Sequence, residues 1–85
     1  MNKITIYSAD YCGYCQRAKD LLDTLDLKYD EHNLEDEGVL EDFRVLGEDL
    51  NVHTIPQIFI DSTHVGGFDD LNQLVQSGGL WKLLD

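Results

Sequence analysis

Only two cysteines occur in the 85 residues, too few for a disulfide-stapled scaffold. A lone close pair in a reducing compartment is more often catalytic or metal-binding than structural. Proline occurs once, and apolar and charged residues are mixed along the whole length, which excludes a low-complexity or disordered chain. No apolar run is long enough for a signal-peptide core or a membrane span, and the start, Met1-Asn2-Lys3-Ile4-Thr5, alternates polar and apolar residues. The expected location is therefore cytoplasmic. Positive charge is scarce as well: six Lys and Arg stand against 17 Asp and Glu, a formal charge of -11. Such a chain repels nucleic-acid phosphates and anionic membranes, so neither is an expected partner. The acid concentrates between Asp30 and Asp49, where Arg44 is the one basic residue. That stretch reads as a solvated helix face or as a docking surface for a basic protein.

A chain of this length has room for one hydrophobic core, so a single domain over 1–85 is expected. Lys3 to Tyr7 alternates at the strand period, with Ile4 and Ile6 on one face. Ala18, Leu21, Leu22 and Leu25 then recur at helical spacing, predicting a helix from about Gly13 to about Asp26. Lys28 to His32 can form a second strand, parallel to the first through a right-handed crossover. Val39, Phe43, Leu46 and Leu50 mark a second amphipathic helix, with Asp36 as its expected cap. Gln57–Ile60 and His64–Gly66 flank Asp61-Ser62-Thr63 as an antiparallel hairpin. Asp69 or Asp70 can cap a helix through Leu71, Leu74 and Val75, which Ser77-Gly78-Gly79 stops, and Leu80 to Leu84 adds a last turn. The fold class is α/β, in the order βαβαββα plus a short C-terminal helix. Tyr7, Phe43 and Phe59 are expected in the core and Trp81 in the packing of the last helix.

Cys12-Gly13-Tyr14-Cys15 falls between the first strand and the first helix. Unpaired N–H groups and the positive end of the helix dipole favour a thiolate at Cys12 over the thiol, whose ordinary pKa is about 8.5. Three-residue spacing at a helix start also brings the two Cα atoms within disulfide reach, so Cys15 can resolve a mixed disulfide on Cys12. A zinc site would need two further ligands, and His32, His53 and His64 are not spaced as a second pair. No resident metal is expected. Tyr11 can flank a substrate or simply lie exposed, and His53 reads as an ordinary loop histidine.

With these features in place the chain resembles a glutaredoxin, within the thioredoxin-fold superfamily, over nearly its whole length. The resemblance rests on Cys12-Gly13-Tyr14-Cys15 followed by Gln16-Arg17-Ala18-Lys19, on Thr54-Ile55-Pro56-Gln57-Ile58-Phe59-Ile60, on Gly66-Gly67-Phe68-Asp69-Asp70-Leu71, and on Gly78-Gly79-Leu80. It implies a thioredoxin-like fold with a four-stranded mixed sheet flanked by helices, and a cis bond before Pro56 whose loop faces the nucleophile. It also implies glutathione as co-substrate: the Ile55 backbone would pair with its cysteinyl part, with Tyr14, Thr54 and Pro56 lining the groove. Gly67, Phe68 and Asp69 would receive the γ-glutamyl end through helix-start N–H groups and an acidic side chain. The implied activity is glutathione-dependent reduction of protein disulfides or glutathionylated thiols by a monomer, ribonucleotide reductase being a frequent client of the family.

Two positions depart from the usual pattern. Ala9 stands where a lysine or arginine is common, leaving Arg17 or Lys19 to meet the glycyl carboxylate. Gly13 stands where proline is common, which the resemblance links to a second activity: carriage of a [2Fe-2S] cluster in a dimer held by two Cys12 thiolates and two glutathiones. Two further readings are recharging by thioredoxin reductase and a redox-inert module that uses its acidic face.

Overall fold

A computed structural model describes residues 2–84. The elements are β1 (Ile4–Ser8), α1 (Gly13–Thr24), β2 (Asp30–Asn33), α2 (Val39–Leu50), β3 (Gln57–Ile60), β4 (Thr63–Gly66), α3 (Phe68–Gln76) and α4 (Gly79–Leu83). The sheet order is β2-β1-β3-β4. β1 pairs parallel with β2 and antiparallel with β3, and β3 pairs antiparallel with β4. This is the mixed four-stranded sheet flanked by helices that the sequence implies.

Alternation along the two central strands builds both layers. Ile4 and Ile6 lie opposite Ile60 and Ile58, and these four pack with Ala18, Leu22, Leu71 and Leu80 from α1, α3 and α4 into the core. Ile6, Leu22, Ile58, Leu71 and Leu80 are fully buried, each worth roughly 1.5–3 kcal/mol in transfer terms. The other face carries Tyr7, opposite Gln57, and Phe59. Tyr7 meets Phe43 of α2 and Phe59 at ring-centroid distances of 5.5 and 6.1 Å. Phe43 is buried while Tyr7 and Phe59 are half-buried, so these aromatics form a second, thinner layer beneath α2.

Several local expectations are corrected. Asp36 does not cap α2: Gly38 does, at φ 84° and without a side-chain bond, while Asp36 offers its backbone carbonyl to Val39 N–H. A left-handed turn ahead of the helix suits glycine and leaves the aspartate carboxylate in solvent. Leu50, assigned to the apolar stripe, is exposed. α1 ends at Thr24 rather than Asp26, and β2 begins at Asp30 rather than Lys28. The hairpin closes tighter than expected: Ile60 pairs with Thr63, so Asp61-Ser62 alone makes the turn, with Asp61 at φ 53°. Gly67 is the N-cap of α3, and Asp70 reaches back to accept its N–H at 3.1 Å. Trp81 is 50% exposed, so Leu80, not Trp81, packs the last helix.

Candidate active site

β1 delivers the chain to the first cysteine. Cys12 N–H bonds to the Ala9 carbonyl at 3.2 Å, a turn that leaves Cys12 extended as the N-cap of α1. Its sulfur accepts from Cys15 N–H at 3.1 Å, in the place of an N-cap side-chain oxygen. One turn further in, Cys15 is fully buried, while Cys12 is partly exposed. The two form a disulfide with Cα atoms 5.2 Å apart.

Facing the disulfide is the loop into β3. Its Ile55–Pro56 bond is cis, and the Ile55 carbonyl oxygen lies 3.9 Å from Cys12 Sγ. From there a groove of about 480 Å³ runs between the loop and the start of α3, lined by Tyr14, Thr54, Ile55, Pro56, Gly67, Phe68 and Asp69 among others. All seven positions singled out for glutathione thus meet in one groove. Tyr14 and Phe68 face each other with ring centroids 6.1 Å apart. Gly67 N–H is taken by Asp70, and Leu71 N–H makes the first helical bond, to the Gly67 carbonyl, so the Phe68, Asp69 and Asp70 N–H groups at the α3 start are without helical partners. A larger hollow, about 600 Å³, lies at the far end of β1 among Asn2, Lys3 and Asp26–Asp30, away from both cysteines.

The two cations left open by the sequence separate clearly. Lys19 Nζ is 2.9 Å from Glu31, whose carboxylate also receives the hydroxyl of the fully buried Ser8. These bonds, Ser8 first and then Lys19, hold the Glu31 carboxyl below its ordinary range, and the Glu31 bond raises Lys19. Lys19 is therefore committed to tying α1 to β2. The Arg17 guanidinium instead lies 5.1 Å from the Tyr14 ring centroid, on the rim of the groove. Ala9, where a cation would be usual, is buried, so a long charged side chain has no room there without rearrangement. Tyr11 is exposed at 79%, and neither it nor His53 lines the groove.

Five lining residues were not singled out from the sequence: Val52, Gln57, His64, Gly66 and Asp70. Period-two alternation does place Gln57 on the Tyr7 and Phe59 face, but nothing in sequence spacing ties His64 to it across the hairpin. Gly66 sits at φ 120°, and a Cβ there would lie 2.3 Å from the Asp70 carboxylate. Glycine is needed for the chain to pass under that contact.

A disulfide at a helix N-terminus, half in reach of solvent and faced by a cis-proline loop, is built for thiol exchange. On this sheet order it defines the class: a thiol-disulfide oxidoreductase with a thioredoxin-like fold. The family model for glutaredoxin matches residues 4–65. Glutaredoxin 1 of Rickettsia typhi is 41% identical over 85 residues, covering all of this chain and 82% of that protein. The glutaredoxin of Neisseria meningitidis serogroup A is 39% identical, covering all of this chain and 99% of its own. Among solved structures, a buckwheat glutaredoxin–glutathione complex superposes with a TM-score of 0.88 at 32% identity, over 98% of this chain and 76% of that one. The chain belongs to the glutaredoxin family.

Proposed function

We propose that the protein is a cytoplasmic, monomeric, glutathione-dependent reductase of protein disulfides and glutathionylated thiols, with Cys12 as nucleophile and Cys15 as resolving thiol. The observation that carries the role assignment is the difference in access: Cys12 reaches solvent at the groove mouth, and Cys15 is fully buried. In the reduced form the Cys12 thiolate, stabilised by the helix start and by Cys15 N–H, attacks one sulfur of a substrate disulfide. The other substrate sulfur leaves as a thiolate and takes a proton. Cys15 then loses its proton, attacks Cys12 Sγ and releases the second substrate thiol, leaving the Cys12–Cys15 disulfide. One glutathione thiolate opens that disulfide at Cys12; a second attacks the mixed disulfide and departs as glutathione disulfide, restoring both thiols.

Glutathione fits the groove as an added strand along Ile55, its γ-glutamyl carboxylate on the Phe68 and Asp69 N–H groups and its ammonium on the Asp69 side chain. Arg17 is the cation on the groove rim and takes the glycyl carboxylate that Ala9 does not. The buckwheat relative, solved with glutathione, supports this reading. The test is a pair of variants. Cys12→Ser abolishes all turnover, whereas Cys15→Ser keeps deglutathionylation, which needs one thiol, and loses the reduction of protein disulfides that needs two. Equal loss of both activities in both variants would contradict the division of labour.

A second reading is favoured by the same asymmetry of access together with Gly13, where an added Cβ would meet nothing within 4 Å. Among the described residues no group of three or more His, Cys, Asp or Glu could hold a metal. The family resemblance implies that an iron-sulfur cluster, as cargo, would be held by Cys12 from two copies and two glutathione thiols. Anaerobic reconstitution with iron, sulfide and glutathione should give a coloured dimer that tolerates Cys15→Ser but not Cys12→Ser. A colourless monomer would remove this reading.

A further inference from the structure

In the wall of the groove, three polar residues form a chain that the thiol exchange itself does not use. Gln57 is 4% exposed. Its amide nitrogen lies 3.0 Å from the Thr54 carbonyl oxygen and 3.4 Å from Thr54 Oγ1, and its amide oxygen lies 2.7 Å from His64 Nε2. The chemistry of these partners fixes every direction. A carbonyl oxygen can only accept, so the end of the Gln57 amide that faces Thr54 must be the NH₂ group. The end facing His64 is then oxygen, and His64 Nε2 must carry a proton. The His64 ring is set in turn by Phe59, 4.9 Å away between centroids.

We infer that His64 is a positioning residue for the substrate groove: through Gln57 it holds the Thr54 carbonyl, so that the Ile55 backbone faces Cys12. The Thr54 carbonyl and the Ile55 N–H belong to one planar trans peptide and point to opposite sides of it. Anchoring the Thr54 carbonyl to Gln57 fixes that peptide with the Ile55 N–H on the far side, and the Ile55 carbonyl oxygen next along the chain is 3.9 Å from Cys12 Sγ. The second bond takes a lone pair of the Thr54 hydroxyl and leaves its proton free for the groove. Gln57 cannot be left half-bonded at this burial without cost, because a buried amide without its partner loses more than the net worth of the bond. The inference rests on the reading of the groove as the glutathione site.

The experiment measures KM and kcat for glutathione in His64→Phe, Gln57→Glu, Gln57→Leu and the double variant His64→Phe/Gln57→Leu. His64→Phe keeps a ring against Phe59 and removes only the donor. Gln57→Glu can still accept from His64 and cannot donate to Thr54. Each single variant should raise KM roughly three- to tenfold, with kcat changing far less. The double variant should be no worse than Gln57→Leu alone, since His64 acts through Gln57. A purely packing role for the histidine predicts a silent His64→Phe, and that result, or strictly additive effects, overturns the inference while leaving the glutathione reading intact. A wild-type protein that does not use glutathione overturns both.

Discussion

Cys12 and Cys15 sit one helical turn apart in different surroundings, and the same kind of local contrast decides the residues around them. Asp69 and Asp70 are neighbours and both line the groove, yet Asp70 is bonded to Gly67 N–H and belongs to the helix start, which leaves Asp69 as the carboxylate proposed to meet glutathione. Asp69→Ala should therefore weaken glutathione use by about 1 kcal/mol, a several-fold rise in KM, with little change in melting temperature. Steady-state kinetics and a thermal melt separate the two effects, and an unchanged KM in the folded variant would move the γ-glutamyl contact elsewhere. Gly66 makes the opposite prediction. Gly66→Ala forces a Cβ onto the Asp70 carboxylate at a backbone angle that side chains avoid. It should cost about 2 kcal/mol or more in stability as well as raising KM. At this scale the motif residues were legible because they are contiguous: Cys12 to Cys15, Thr54 to Pro56 and Gly67 to Asp69 each occupy one short stretch. His64 and Gln57 were not, because their bond depends on a cross-strand diagonal and on which way an amide faces.

Elements were legible where one period ran uninterrupted. The alternation of Ile4 and Ile6, the stripe from Ala18 to Leu25 and the short break at Asp61-Ser62-Thr63 reappear as β1, α1 with its C-cap and the β3–β4 hairpin, the last with a turn one residue shorter than expected. Their ends were less legible, because a left-handed glycine competed with an aspartate side chain ahead of α2 and the glycine prevailed. The contacts between elements generate predictions of their own. Gly47, buried in α2, lies against the chain leading to the groove: an added Cβ would stand 2.4 Å from the Val52 carbonyl oxygen. Gly47→Ala should cost roughly 1–3 kcal/mol, displace Val52 to Thr54 and so raise KM for glutathione although it touches no ligand. The Ser8–Glu31–Lys19 tie between β1, β2 and α1 makes a pH prediction. The folded protein holds the Glu31 carboxyl below its ordinary value of 4.5, so its contribution to stability is complete above that value and disappears as pH falls through the lowered one. Glu31→Gln should lower stability at neutral pH and flatten the decline of stability below about pH 4.5. Denaturant midpoints measured from pH 7 to pH 3 would show it, and parallel wild-type and variant curves would contradict it.

The whole molecule carries a charge of -11, and no helix among its described residues is long and apolar enough to cross a membrane. Glutathione is itself a net anion at neutral pH, so the field of the protein opposes its approach even though Arg17 lies on the groove rim. Salt shortens the reach of that field, from a Debye length of about 30 Å at 0.01 M to about 8 Å at 0.15 M. The apparent KM for glutathione should therefore fall as ionic strength rises over this range, and a rise would place local attraction by Arg17 above the global repulsion. The overall architecture was legible from the order of periods together with the family resemblance, because few chain paths satisfy a parallel crossover followed by an antiparallel hairpin. The central claim, that glutathione in this groove returns electrons to the Cys12–Cys15 disulfide, is tested most directly by a turnover assay with a disulfide substrate. Glutathione with glutathione reductase is compared with thioredoxin reductase as the electron source, each with NADPH consumption as the readout. Sustained NADPH consumption with glutathione and little with thioredoxin reductase alone is the expected result; the reverse would show that another donor recharges the disulfide and would contradict the account.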